Sequence, residues 1–131
     1  MNLVIDTSVI IAVVTHEPHR ERLIALTRGA DMIAPPSVRW EIGNAFSAMF
    51  KRRRISRQQA LQALAACSRI PLRYVGVELE ESLVIADEWN LYAYDAYLLR
   101  CAVKYRAPLL SLDQDLLRVA TRMGVTVIEV F

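Results

Sequence analysis

Short apolar runs alternate along the chain with longer stretches of helical periodicity. Leu3 to Ile5 is too short for a helix and rich in β-branched residues, which is typical of a buried parallel strand. Similar runs at Asp31 to Ala34, Pro71 to Val75 and Pro108 to Asp113 predict three more strands. The alternating segment Val125 to Val130 predicts a last strand.

The stretches between these strands repeat apolar residues every three or four positions, as helices do. The longest predicted helix runs from Ser37 to about Arg53, and it carries Glu41 and Asn44 on one face. The other predicted helices cover residues 8–15, 17–28, 57–67, 78–89, 93–105 and about 116–124. This alternation predicts an α/β fold with a mostly parallel sheet and helices on both faces.

Length and composition predict one compact domain over residues 1–131. Hydrophobic residues make up 54% of the chain, which excludes a disordered protein. The apolar runs are too short to span a bilayer, and the N-terminus does not resemble a signal peptide. Cys67 and Cys101 are far apart in helical contexts, so a disulfide scaffold or a zinc site is not expected. We therefore expect a cytoplasmic protein without a membrane partner.

The basic residues are concentrated in one place, although the net charge is only +2. Lys51 to Arg54 forms a basic run, and Arg57 lies just beyond it. Two interpretations stay open at this point. The run could guide nucleic-acid phosphates, or it could be a solvated helix end whose cations complement the helix dipole.

Acidic residues end two of the predicted strands. Asp6 follows the first strand and precedes Thr7 and Ser8, and Asp113 follows the fourth strand after Ser111. Ligands of open α/β sheets bind in the crevice beyond the carboxyl ends of the strands, so these two acids are expected to face one site. The alternative for Asp6 alone is that it only caps the following helix.

Glu41 and Asp95 each lie near the start of a predicted helix, and they could converge on the same edge. Four clustered carboxylates repel one another and their pKa values rise, a conflict that a divalent cation resolves. Oxygen-only ligands favour Mg²⁺ or Mn²⁺ over zinc. Such ions activate water for attack on phosphorus, which indicates phosphodiester hydrolysis.

Four short motifs in this order resemble those of PIN-domain ribonucleases, and most closely those of the VapC toxins of VapBC toxin-antitoxin pairs. The motifs are Asp6-Thr-Ser, Glu41-Ile-Gly-Asn44, Tyr94-Asp95-Ala96 and Ser111-Leu-Asp113. The resemblance covers nearly the whole chain. It implies a PIN-like three-layer α/β fold and a metal-dependent endoribonuclease.

The resemblance also implies the roles of individual residues. Asp6, Glu41, Asp95 and Asp113 resemble the four acids that hold Mg²⁺ or Mn²⁺ in the family. Polar residues that resemble the ones orienting those acids are Thr7 or Ser8, Asn44 and Ser111, with Asp115 as an additional supporting acid. The expected partners are an RNA substrate, cleaved to leave a 3′-hydroxyl and a 5′-phosphate, a VapB-type antitoxin and a second copy of the chain.

Two other functions compete with this prediction. An aspartyl-phosphate phosphatase also begins with a strand that ends in Asp, but it needs a second Asp where this chain has Ser8, as well as a dedicated Lys. A nonenzymatic nucleic-acid or partner-binding module would use the acids only as helix caps. That module predicts four unconnected acids and no effect of metal on thermal stability.

Overall fold

The computed structural model describes residues 1 to 131 and has a four-stranded sheet at its centre. The strands are β1 (Asn2–Ile5), β2 (Asp31–Ala34), β3 (Arg73–Tyr74) and β4 (Leu109–Leu110). They lie in the order β3-β2-β1-β4, and every neighbouring pair is parallel. The predicted parallel sheet is confirmed.

Seven helices flank this sheet, which confirms the predicted α/β class. They are α1 (Thr7–Val14), α2 (Arg20–Thr27), α3 (Ser37–Lys51), α4 (Arg57–Cys67), α5 (Leu79–Trp89), α6 (Ala93–Tyr105) and α7 (Gln114–Arg122). No helix combines the length and the apolar character that a membrane crossing requires.

The strand order creates a topological switch point beside β1. The chain moves from β1 outward to β2 and β3, and it then returns to place β4 on the other side of β1. Right-handed crossovers therefore put α1 to α4 on one face and α5 and α6 on the other. The connections that leave β1 and β4 diverge at their carboxyl ends, and such a point is where open α/β sheets bind ligands.

Apolar side chains from the sheet and from both helical layers form one core. Leu109 and Leu110 of β4 are fully buried, as are Leu98 and Leu99 of α6, within a cluster of 26 buried residues. A central strand that is buried on both faces needs a continuous apolar run, which explains why β1 contains Leu, Val and Ile without alternation. The core fixes the carboxyl ends of β1 and β4 next to each other.

Glu78 links the two helices on the second face. It lies at the N-cap position of α5, and its carboxylate pairs with Arg100 Nε at 2.8 Å and with Lys104 Nζ at 2.6 Å on α6. Hydrogen bonds from Lys104 and Arg100 lower the pKa of Glu78 to about 2. The ion pairs therefore persist down to acidic pH.

The predicted last strand at Val125 to Val130 is wrong in its extent. The chain after α7 does reach β4, but only Leu109 and Val127 form a parallel bridge. Leu109 N donates to Thr126 O and Ile128 N donates to Leu109 O. β4 has only two residues before the chain turns at Ser111, so no longer ladder can form on it. The alternation reflects half-buried packing rather than a strand.

The ends of other predicted elements also shift. The helix expected from residue 17 begins at Arg20, and the strand expected over residues 71–75 is paired only at Arg73 and Tyr74. The strand expected over residues 108–113 spans only Leu109 and Leu110, because the chain turns at Ser111. By contrast, α4 has the predicted bounds because its start is strongly encoded. Ser56 and Gln59 form a reciprocal capping box there.

Candidate active site

Two strand ends form the floor of the candidate site. Asp6 directly follows β1, and its backbone N–H donates to Leu110 O of β4 at 3.1 Å. Ser111 directly follows β4 and is fully buried. The two neighbouring parallel strands therefore end at the same edge of the sheet, which brings Asp6 and Ser111 together there.

The carboxylate of Asp6 is held by two serine hydroxyls. Asp6 is 7% exposed, and its Oδ2 accepts from Ser8 Oγ at 2.9 Å and from Ser111 Oγ at 2.7 Å. Ser8 Oγ in turn accepts from Leu112 N, and Ser111 Oγ accepts from Asp113 N, both at 3.0 Å. Each hydroxyl thus donates its one proton to Asp6, which fixes the orientation of the carboxylate.

Helix capping does not explain Asp6. The residue occupies the N-cap position of α1, but its side chain makes no capping hydrogen bond. Instead, the carboxylate accepts a hydrogen bond from Ser111, which follows the neighbouring strand β4 and lies 105 residues later in the chain. A buried carboxylate tied to a distant strand end is costly for stability, which is typical of functional rather than structural acids.

Glu41 reaches the site from α3. Thr7 Oγ1 donates to Glu41 Oε2 at 2.7 Å, so the first turn of α1 holds the acid one turn into α3. The pKa of Glu41 is raised, first by burial and then by the charges of Asp6 and Asp95. Glu41 is therefore coupled electrostatically to the acids of two other elements.

The two carboxylate oxygens of Asp113 differ in their hydrogen bonding. Its Oδ1 accepts from the backbone N–H groups of Asp115 and Leu116 at 3.0 and 3.2 Å, so it caps α7. Its Oδ2 has no hydrogen-bond donor within the chain, and the residue is exposed. Capping fixes the residue at the site and leaves one oxygen available to a ligand.

Asp95 lies half-buried in the first turn of α6 and makes no side-chain hydrogen bond within the chain. Its pKa is raised by burial, and next by the charges of Asp113 and Asp6. The pKa of Asp6 is raised mainly by burial, against the hydrogen bonds from Ser111 and Ser8, with a further contribution from the charge of Asp113. These mutual effects place the four predicted acids in one electrostatic group.

No basic side chain compensates this group. None of the influences that shift the pKa values of Asp6, Glu41 and Asp95 comes from a Lys, Arg or His. The four acids therefore form an anionic pocket whose only donors are hydroxyls and backbone amides. A hard divalent cation fits this all-oxygen donor set.

The side chains do not form a closed metal cage as they stand. No three Asp, Glu, His or Cys side chains are near enough to one another to surround one ion. The four acids thus fit a cation by their oxygen chemistry and by their position at one edge of the sheet. The distances between their side chains are not those of a formed metal site.

Two predicted supporting residues stand apart from the others. Asn44 lies one turn after Glu41 on α3, but it is exposed and makes no side-chain hydrogen bond. Asp115 is exposed on α7 and forms an ion pair with Arg118. Thr7, Ser8 and Ser111, by contrast, all contact the acids directly.

Sequence reasoning did not identify the backbone amides that complete the site. Leu112 N and Asp113 N orient the two serine hydroxyls toward Asp6. Backbone groups carry no signature of their own, and the only hint is that Ser111 stands two residues before Asp113. The amides are positioned because the chain turns immediately after β4.

The family model for the PIN domain matches residues 3–122, which covers all four acids. A comparison with curated proteins gave no match. Solved structures with the same fold include a protein from Pyrobaculum aerophilum, with a TM-score of 0.73 and 22% identity over 97% of this chain and 83% of the other.

Two structures of toxins also resemble this chain. A toxin-antitoxin complex from Klebsiella pneumoniae matches with a TM-score of 0.68 and 15% identity, over 98% of each chain. A sarcin-ricin loop cleaving toxin from Mycobacterium tuberculosis matches with a TM-score of 0.65 and 15% identity, over 89% of this chain and 94% of the other. At these identities the likeness is one of fold. Together with the family match over almost the whole chain, it means that this protein belongs to the PIN-domain family and has the fold of VapC-type toxins.

Proposed function

We propose that the chain is a metal-dependent endoribonuclease and the toxin of a type II toxin-antitoxin pair. One observation carries the proposal: Asp6, Glu41 and Asp95 have raised pKa values caused by burial and by one another's charges, with no basic side chain to offset them. Perturbed acids clustered at a switch point indicate a catalytic site. In a PIN-domain protein the matching chemistry is phosphodiester hydrolysis.

Asp6, Glu41, Asp95 and Asp113 are proposed to hold one or two Mg²⁺ or Mn²⁺ ions. When bound, such an ion polarises the phosphodiester and lowers the pKa of a bound water molecule. Ser8 and Ser111 keep the Asp6 carboxylate in one orientation, and Thr7 does the same for Glu41. Asn44 and Asp115 are proposed as supporting residues at the rim, where RNA can reach their exposed side chains.

The antitoxin and the oligomeric state are part of the same proposal. Structures of similar fold include a toxin-antitoxin complex, which supports a VapB-type antitoxin as the partner. We also propose that the protein forms a homodimer and acts in the cytoplasm, where RNA is available. The family resemblance supports these points.

The test is RNA cleavage by purified protein freed of antitoxin. Cleavage is expected with Mn²⁺ or Mg²⁺, and it should stop when EDTA is added. Asp6→Asn should abolish cleavage because it removes the charge of the most buried acid while keeping its shape. Asp87→Asn is the matched control, since Asp87 is exposed on α5 and makes no ion pair or side-chain hydrogen bond. Cleavage that survived in the Asp6 variant would contradict the proposal.

A nonenzymatic binding module is the second candidate, and two observations favour it. Asp113 caps α7, and no three acids form a closed cage. The two candidates differ in their response to metal, because a ligand that binds only the folded state raises the melting temperature. Melting with and without Mn²⁺ distinguishes them: the nuclease predicts a rise in the wild type that Asp6→Asn removes, and the binding module predicts no rise.

A further inference from the structure

The basic run at the far end of α3, defined here as Lys51, Arg52, Arg53, Arg54 and Arg57, has no function in the site described above. All five side chains are exposed. None of them takes part in a salt bridge, a side-chain hydrogen bond or a cation-π contact, whereas Arg100, Lys104 and Arg118 pair with acids. The basic run is therefore a patch of uncompensated positive charge.

This patch accounts for the positive charge of the whole chain. Five of the 16 basic side chains lie within the seven positions of the basic run, which leaves 11 to set against 14 acids in the rest of the chain. The remainder of the protein is thus net negative and repels a polyanion. The basic run is the part of the sequence in which positive charge is most concentrated, and it can attract a polyanion electrostatically.

Helix dipoles do not explain all of these charges. Lys51 and Arg52 end α3, where cations are favourable. Arg57, however, is the first residue of α4, where a cation is unfavourable. Five like charges in seven positions also repel one another. Such an arrangement lowers stability unless an anion binds, which points to a ligand.

The helix α3 connects this patch with the candidate active site. Glu41 and Lys51 belong to the same uninterrupted helix, and ten residues at about 1.5 Å each separate them by about 15 Å. A stacked strand of nucleic acid rises about 3.4 Å per nucleotide, so this distance corresponds to roughly four nucleotides.

We propose that the basic run binds the phosphates of single-stranded RNA about four nucleotides from the bond that is cleaved. The proposal rests on the proposed ribonuclease function and adds a second contact to it. Arginine forks bind phosphate oxygens without reading the base sequence, so the run supplies affinity and not specificity. It also offsets the repulsion between the substrate and the four acids.

The test compares two double variants that lose the same charge. Arg53→Gln with Arg54→Gln removes two cations of the run. Arg28→Gln with Arg106→Gln is the matched control, because both residues are exposed and unpaired, and Arg106 shares the positive φ of Arg53, at 51° and 53°. Binding of a 16-nucleotide oligouridylate is measured in EDTA at several salt concentrations, so that no cleavage is involved.

The run variant should bind about 25-fold more weakly at 0.1 M salt, and its slope of log affinity against log salt should fall by about 1.4, since each lost phosphate contact removes about 0.7. The control variant should match the wild type in both quantities. In Mn²⁺, the run variant should cleave long RNA with a raised KM and an unchanged kcat. The pair Arg52→Gln and Arg57→Gln should behave like the run variant, and it leaves the residue with positive φ untouched.

Three results would overturn the proposal. One is an unchanged salt slope in both run variants, and another is an equal loss in the control variant, which would mean that only net charge matters. The third is retained RNA binding together with lost binding of an oligoglutamate peptide, which would assign the patch to an acidic protein. Because the binding assay contains no metal, wild-type protein that binds RNA but never cleaves it would contradict the proposed function alone.

Discussion

Replacing Ser111 by alanine tests whether the serine hydroxyls hold Asp6 as an ionised carboxylate. Ser111 Oγ donates to Asp6 Oδ2 at 2.7 Å and is fully buried, so no water can take its place without a rearrangement. The substitution removes one of the two hydroxyl donors to that oxygen and leaves Ser8 as the other. It also removes the acceptor for Asp113 N.

The expected loss of stability depends on pH. A hydrogen bond to a charged group contributes about 1.5–3 kcal/mol, and one to a neutral group contributes about 0.5–1.5 kcal/mol. Burial raises the pKa of Asp6 in the folded protein, so its carboxyl stays neutral to a higher pH than that of an ordinary aspartate and ionises only above it. The loss of unfolding free energy caused by Ser111→Ala should therefore grow as the pH rises, by about 1 kcal/mol between the neutral and the ionised form of Asp6.

Urea denaturation of both proteins across a pH series measures this growth. Ser82→Ala is the matched control. Ser82 is also buried, but its hydroxyl donates to the backbone carbonyl oxygen of Glu78, which carries no charge, at 2.8 Å. Its effect on the free energy of unfolding should be the same throughout that pH series. An equally pH-independent effect of Ser111→Ala would refute the reasoning, since the hydroxyl would then not distinguish the charged form of Asp6.

Four further predictions concern the site and the scaffold that positions it. The pKa of Asp6 is raised in the folded protein, so folding favours its neutral form. The stability that Asp6 contributes is fully present below its ordinary pKa of 3.8, and it is lost as the pH rises through the raised pKa. Asp6→Asn should therefore be more stable than the wild type at pH 7, with a weaker pH dependence in urea denaturation, and lower stability at pH 7 would contradict this. The pKa of Glu78 is lowered to about 2, so the stability that its ion pairs contribute is present above pH 4.5 and is lost as the pH falls toward 2. Glu78→Gln should reduce the free energy of unfolding at pH 7 but not at pH 2, and an equal loss at both pH values would count against the ion pairs. Thr7→Val should lower kcat for RNA cleavage by about 10- to 100-fold because Glu41 loses its hydroxyl donor, whereas Thr7→Ser should retain most of the activity; equal rates in the two variants would argue against positioning by Thr7. Leu110→Ala should lower the free energy of unfolding by about 2–5 kcal/mol, because it opens a cavity at a fully buried position of β4, and a loss below 1 kcal/mol would mean that the site relaxes.

The fold could be predicted from the sequence because its signals are local and consistent. Short apolar runs marked β1, β2 and β4, and helical periodicity marked the elements between them. The Ser56 capping box fixed the start of α4 to the residue. These features depend on neighbouring residues, which a sequence displays directly.

The errors occur where distant parts of the chain decide the outcome. Val125 to Val130 has the alternation of a strand, but a strand needs a partner of equal length, and β4 offers two residues. In the site, too, the features that depend on distant parts of the chain were the ones that the sequence did not indicate. Asp6 and Asp113 were predictable from strand ends, whereas the role of the Leu112 amide depends on a turn that no residue type marks. Asn44 has the right spacing from Glu41, yet helical spacing alone did not bring it into contact with the acids.

The measurement that tests the proposed metal site most directly is a crystal structure of the protein soaked in Mn²⁺, with anomalous diffraction collected to locate the ion. The four-carboxylate proposal predicts an anomalous peak bound by oxygens of Asp6, Asp95 and Asp113, with Glu41 nearby, and no peak in Asp6→Asn crystals. A peak elsewhere, or no peak at these acids under conditions in which the same protein cleaves RNA, would contradict it.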